Sequence, residues 1–151
     1  MSCLSPLYLD DLTPNEHYYS RTVQITEEEI IQFAKQFDPQ PFHIDKALAQ
    51  NSFFKGLCAS GWHTASLTMR LLTETLPMIG GLIGANGELQ WSQPVRPGDE
   101  LSIDVHIIEI RPSTKNPERG TIQAEITTYN QHHEPVQQMR CRIVAARRPN
   151  I

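Results

Sequence analysis

From Leu101 onward, apolar and polar residues alternate with a period of two. Leu101, Ile103, Val105 and Ile107 interleave with Ser102, Asp104 and His106, the pattern of an antiparallel strand buried on one face. Ile122, Ala124, Ile126 and Thr128 repeat it. Met139, Cys141, Ile143 and Ala145 repeat it again, with Arg140 and Arg142 opposite. A polar loop at residues 112–120 and a turn at residues 130–135 separate these runs. Upstream, residues 18–25 alternate as a strand, and residues 89–93 read as a short one. The segment Val95-Arg96-Pro97-Gly98-Asp99 supplies the turn after it.

Between these strands the period changes to that of a helix. Thr26, with Glu29 three residues later, forms a capping box. The helix it starts carries Ile30, Phe33, Ala34 and Phe37 on its buried side. It must end near Asp38, because Pro39 disfavours helical geometry in the residue before it. Residues 38–43 are expected as loop, and a short helical turn is expected over 45–50. Residues 59–76 read as the longest helix, apolar on several sides, stopping before Pro77. Gly80, Gly81 and Gly84 break the chain. Residues 1–16 show no period and are expected as an irregular lead-in. The outline is α+β: small elements, one long helix, then an antiparallel meander whose apolar face needs a cover. The long helix is the natural partner.

At 151 residues the chain is expected to form one domain with a real core. An apolar fraction of 39% and a charged fraction of 20% are ordinary for a soluble globular protein. The net charge of -4 argues against a nucleic-acid partner. No apolar run is long enough to span a bilayer, and the first residues lack the features of a secretion signal. Cys3, Cys58 and Cys141 fit neither a disulfide framework nor a zinc pattern, which agrees with a reducing cytoplasm. His17, His43, His63 and His106 share no ligand spacing, so no metal is expected. His132 and His133 are expected in an exposed turn, and Cys58 in a small buried role. Arg140, Arg142, Arg147 and Arg148 are read as a solvated face and tail, although their charge also suits the phosphates of a nucleotide carrier.

The candidate chemistry lies in Asp38-Pro39-Gln40-Pro41-Phe42-His43. A carboxylate and an imidazole stand five residues apart, a pair able to move protons near neutral pH. Asp38 as a helix stop and His43 as a loop histidine is the plainer alternative. Gly61 follows His43 by eighteen residues, where the long helix begins, with Ser60 as its N-cap. The first N–H groups of a helix lack internal partners and suit a developing oxyanion. A glycine there lets a substrate oxygen approach, or lets the helix pack closely on the sheet.

These residues resemble the MaoC-like family, also called the hydratase 2 or R-specific enoyl-CoA hydratase family. The resemblance rests on Asp38 to His43 with Ile44-Asp45, on Phe53-Phe54-Lys55-Gly56, on Leu57 to Gly61, and on Pro94 to Asp99. It implies a hot-dog fold, an antiparallel sheet wrapped around a long central helix, as a homodimer. It implies hydration of a trans-2-enoyl thioester of CoA or acyl-carrier protein, or the reverse dehydration, without a cofactor. Carried over, Asp38 and His43 hold and activate the water, and the Gly61 N–H meets the thioester oxygen. Ser60, Trp62 and His63 become candidate pocket residues; His63 is expected instead to pack or hydrogen-bond on the dimer side. Gln40 and Ser60 depart from the family's Asn and His. A helix hydroxyl found in some members corresponds to Met69, with Thr68 adjacent. A thioesterase and a non-catalytic acyl-CoA-binding protein on the same fold are the alternatives.

Overall fold

The computed structural model describes residues 5–150. The chain opens with a 3-10 turn, Leu9–Asp11, followed by two short strands, β1 (His17–Tyr19) and β2 (Val23–Gln24). The strand expected over 18–25 is therefore interrupted. The Ser20 N–H still donates to the Ile103 carbonyl, but the Ser20 hydroxyl accepts the Ile103 N–H in place of a backbone carbonyl and donates to the Arg21 carbonyl.

Helix α1 (Glu27–Phe37) begins where the capping residues place it, and the Thr26 hydroxyl accepts the Glu29 N–H. Ile30 and Ala34 are buried on its inner side. Phe37, expected inside, is 64% exposed. It overhangs the core edge with its ring against Phe33, centroids 5.1 Å apart. Helix α2 (Pro41–Ile44) is a single turn inside the stretch expected to be loop. Pro41 starts it, since a proline at the first helical position loses no needed N–H. Helix α3 (Lys46–Gln50) is capped by Asp45, whose carboxylate accepts the Leu48 N–H. Helix α4 (Gly61–Thr75) is the longest, and Ser60 is its N-cap.

Four long strands follow: β3 (Ile83–Trp91), β4 (Glu100–Pro112), β5 (Arg119–Tyr129) and β6 (Pro135–Ala146). β3 is longer than the alternation implies. Gly84 lies within it, at a register shift between Gly84 and Asn86, instead of ending it. The sheet order is β1-β4-β5-β6-β3, all antiparallel, with β2 also on β4.

The meander's apolar face covers α4, as its alternation requires. Leu71, Leu72 and Leu76 of the helix end pack with Ile103, Val105, Ile107, Ile122, Ile126 and Ile143 of the sheet. Each such side chain contributes about 1.5–3 kcal/mol of burial. Within the lead-in, Leu9 and Leu12 are buried in this same cluster, and Leu7 bridges to Met78. Asp10 and Asp11 pair with Arg147 and Arg148, so part of the basic tail is neutralised. A second apolar cluster, including Ile25, Ile30, Leu67, Val95 and Val136, supports the start of α4. Among the described residues, no helix is long and apolar enough to cross a membrane.

Candidate active site

Asp38 caps the C-terminal end of α1, its N–H on the Ala34 carbonyl at 2.8 Å. The turn of α2 then brings His43 back beneath it. His43 Nε2 lies 3.4 Å from Asp38 Oδ2. The two prolines between them restrict the connecting backbone, so the pair is held by local sequence.

The second imidazole nitrogen decides the proton's position. His43 Nδ1 sits 2.6 Å from the Cys58 carbonyl oxygen. A carbonyl only accepts, so Nδ1 carries the hydrogen. In the neutral ring Nε2 is then a bare acceptor facing a carboxylate oxygen. Two acceptors 3.4 Å apart are satisfied by a water molecule that donates to both, or by protonation of Nε2. Either arrangement places a mobile proton between His43 and Asp38.

Asp38 is fixed at both oxygens. Gln40 donates its side-chain N–H to Oδ1 at 2.6 Å, and the Ser60 hydroxyl donates to Oδ2 at 2.7 Å. Burial works to raise the Asp38 pKa; the hydrogen bonds from Ser60 and Gln40 and the charge of His43 overcome it and hold the carboxyl below its ordinary value. The departures at Gln40 and Ser60 thus act on the carboxylate directly. Cys58 is buried, and its burial pushes the thiol pKa up, which disfavours the nucleophilic thiolate.

Asp38, His43 and Gly61 line one cleft of about 480 Å³, together with Gln40, Trp62 and Thr64. Its remaining walls are largely apolar, with Phe42, Phe53, Phe54, Trp91, Val95 and Val136. The Gly61 N–H is the first of α4 and takes no acceptor among the described residues. The glycine also answers a packing demand: a Cβ there would lie 2.6 Å from the Trp91 ring. Close packing and an open N–H occur at one residue. Another cleft, on the β3–β6 strands and lined by Glu88, Arg140 and Arg142, holds none of these groups.

The other expected residues divide. Trp62 stands at the rim, 58% exposed. Ser60 is fully buried beneath Asp38 and does not line the cleft. His63 points away from it, stacked on Phe33 with centroids 4.5 Å apart. Met69 is 46% exposed and also outside the cleft, because it lies two turns from the helix tip. Thr68 is buried against Thr128, with the two hydroxyl oxygens 2.6 Å apart. The helix hydroxyl that does reach the cleft is Thr64, one turn after Ser60.

Trp91, which lines the cleft, and the buried Gln137 that accepts its indole N–H were not legible from the alternation read at residues 89–93 and from Met139 onward. The available signal was a polar Gln137 in phase with Met139 and Cys141 on a core-facing edge. His132 and His133 are exposed.

Residues 11–130 match the MaoC like domain family. The chain is 32% identical over 126 residues to the uncharacterized protein YdeM of Bacillus subtilis, covering 82% of this chain and 87% of that protein. It is 29% identical over 109 residues to an (R)-specific enoyl-CoA hydratase of Rhodospirillum rubrum, covering 72% and 74%. Its fold superposes on the crystal structure of a MaoC-like dehydratase from Rhodospirillum rubrum with a TM-score of 0.91, at 45% identity and with 95% and 99% coverage. The antiparallel sheet around one long helix is thus the hot-dog fold. The chain belongs to the MaoC-like dehydratase family.

Proposed function

We propose that this protein adds water across the C2=C3 bond of a trans-2-enoyl thioester, or removes it from the 3-hydroxyacyl thioester. One observation carries the reading. His43, held through Nδ1 by the Cys58 carbonyl, turns Nε2 to a fixed carboxylate oxygen 3.4 Å away, in the cleft that also holds the open Gly61 N–H. Asp38 and His43 hold one water. Its hydroxyl oxygen bonds to C3 as the C2=C3 π electrons move toward the thioester. The proton released passes through the Asp38–His43 pair to C2, so one water supplies both groups. The Gly61 N–H stabilises the oxygen on which negative charge develops, helped by the partial positive charge of the α4 N-terminus.

The apolar walls agree with an acyl chain, and the carrier is CoA or acyl-carrier protein. The same reading takes residues 1–151 as one domain and the protein as a homodimer acting in the cytoplasm. The edge strand β3 favours the dimer: among the described residues it pairs only with β6, and it is mostly exposed, including Ile83 at its start.

A panel of trans-2-enoyl-CoA substrates tests the activity through loss of enoyl absorbance, with a thiol reagent in parallel. Absorbance loss without thiol release is expected. Thiol release instead would assign the site to thioester cleavage, and binding without either change would make it a carrier.

A further inference from the structure

Trp91 fills the space over the Cα of Gly61 at the helix tip, and Gln137 holds its indole N–H. The Trp91 ring lies across Gly61 so closely that a side-chain carbon at that glycine would sit 2.6, 2.8 and 2.9 Å from three of its atoms. Its Nε1–H donates to Gln137 Oε1 at 2.9 Å. Gln137 is fully buried, and its own Nε2 donates to Thr68 Oγ1 at 3.1 Å. Thr68 in turn bonds Thr128. Trp62 meets the ring edge-on from the cleft side, centroids 5.3 Å apart. The ring is thus held at its N–H by a buried polar chain and met edge-on by a second indole.

A buried polar chain whose members are all paired has few alternative arrangements. The Trp91 ring, 44% exposed but tied at its N–H to this chain and packed on Gly61, therefore serves as a wall of the cleft. On the proposed reading, the thioester oxygen lies at the Gly61 N–H. The acyl carbon next to the carbonyl, C2, then lies against this wall, and a substituent on C2 has to share space that the ring fills.

The geometry points to Trp91 as a specificity-determining residue that admits acyl thioesters unbranched at C2, with Gln137 as the residue that positions it. This inference rests on the hydratase reading for where the thioester sits. Gln137 touches no substrate and acts only through the indole.

The test compares trans-2-butenoyl-CoA with its 2-methyl analogue as a ratio of kcat/KM, which cancels any general loss of folded protein. The wild type is expected to favour the unbranched substrate. Trp91→Leu is expected to lower that preference at least about tenfold, the lower end of what one methylene is worth in a pocket. Gln137→Leu is expected to lower it in the same direction. In a Trp91→Phe background, which lacks the indole N–H, Gln137→Leu is expected to change it no further. A preference untouched by Trp91→Leu, or a Gln137 effect undiminished in that background, overturns the proposal.

Binding separates this inference from the hydratase reading. Isothermal titration compares butanoyl-CoA with 2-methylpropanoyl-CoA on the wild type and on Trp91→Leu. The wild type is expected to bind butanoyl-CoA at least about tenfold more tightly, and Trp91→Leu is expected to lose that preference. That result without any enoyl turnover keeps the wall and discards the hydratase. Equal affinities in the wild type, or a preference unchanged in Trp91→Leu, discard the wall even if turnover is found.

Discussion

The Ser60 hydroxyl donates to Asp38 Oδ2 at 2.7 Å while its oxygen accepts the Trp62 N–H at 3.2 Å. One buried side chain therefore caps α4 and fixes the carboxylate at the end of α1. The helix start and the acid–base pair are joined by a single oxygen.

Removing that oxygen has two separable effects. Ser60→Ala is expected to lower stability by about 1 kcal/mol, the usual worth of an N-cap side chain. It also deprives Asp38 of a donor, so the carboxyl pKa rises. Activity that needs the ionised form is then lost at a higher pH than in the wild type. A pH–rate profile measures this as an upward shift of the acid limb; an unshifted limb with lowered stability would leave Ser60 as a cap only.

His63 predicts a different pH dependence. It is buried on Phe33, and its Nδ1 has no hydrogen-bond partner among the described residues. Burial lowers its pKa from 6.5, and Glu29 opposes this only in part. The unfolded chain therefore binds a proton there more readily than the folded chain. The stability from this neutral histidine is complete above about pH 6.5 and is lost as pH falls below that value. Asp38 also has a lowered pKa, but from an ordinary value of 3.8, so its contribution is lost only in stronger acid. His63→Phe is expected to flatten the fall in Tm between about pH 6.5 and pH 5. An equal fall in the variant would assign that acid sensitivity elsewhere.

Arg96 braces the aromatic wall of the cleft. Its guanidinium donates to the carbonyls of Phe54, Gly56 and Leu57. Lysine has a point charge and cannot reproduce that planar fork. Arg96→Lys is expected to lose about 1–3 kcal/mol of stability, the scale of charged hydrogen bonds. KM for a thioester is expected to rise with it, because Phe53 and Phe54 lose their fixed loop. Wild-type Tm and KM in this variant would show that the loop holds itself.

The sequence carried the sheet and the long helix because alternation and helical period act locally. Leu101 to Ile107 could only be a half-buried strand, and Ser60 before Gly61 could only begin a helix well. Asp38, His43 and Gly61 lie close in the chain, so their meeting in one cleft was also legible. The remainder depended on long-range contacts. Leu9 and Leu12 join a core built by residues far along the chain, where Asp10 and Asp11 also reach Arg147 and Arg148. Phe37 has the period of a buried residue but outruns the surface it would cover. Trp91 reaches Gly61 across thirty residues, a contact no local period encodes. His63 had to choose a side of α4, and the partner that decided it was Phe33.

The central claim is that Asp38 and His43 share one water facing a thioester. Hydration of trans-2-butenoyl-CoA by wild type, Asp38→Asn and His43→Ala measures it most directly. Asp38→Asn keeps the size of the group and removes the base. Each variant is expected to lose at least about a hundredfold in kcat, the scale of a positioned proton-transfer group, with the fold and thioester binding retained. Wild-type rates in both variants would contradict the account.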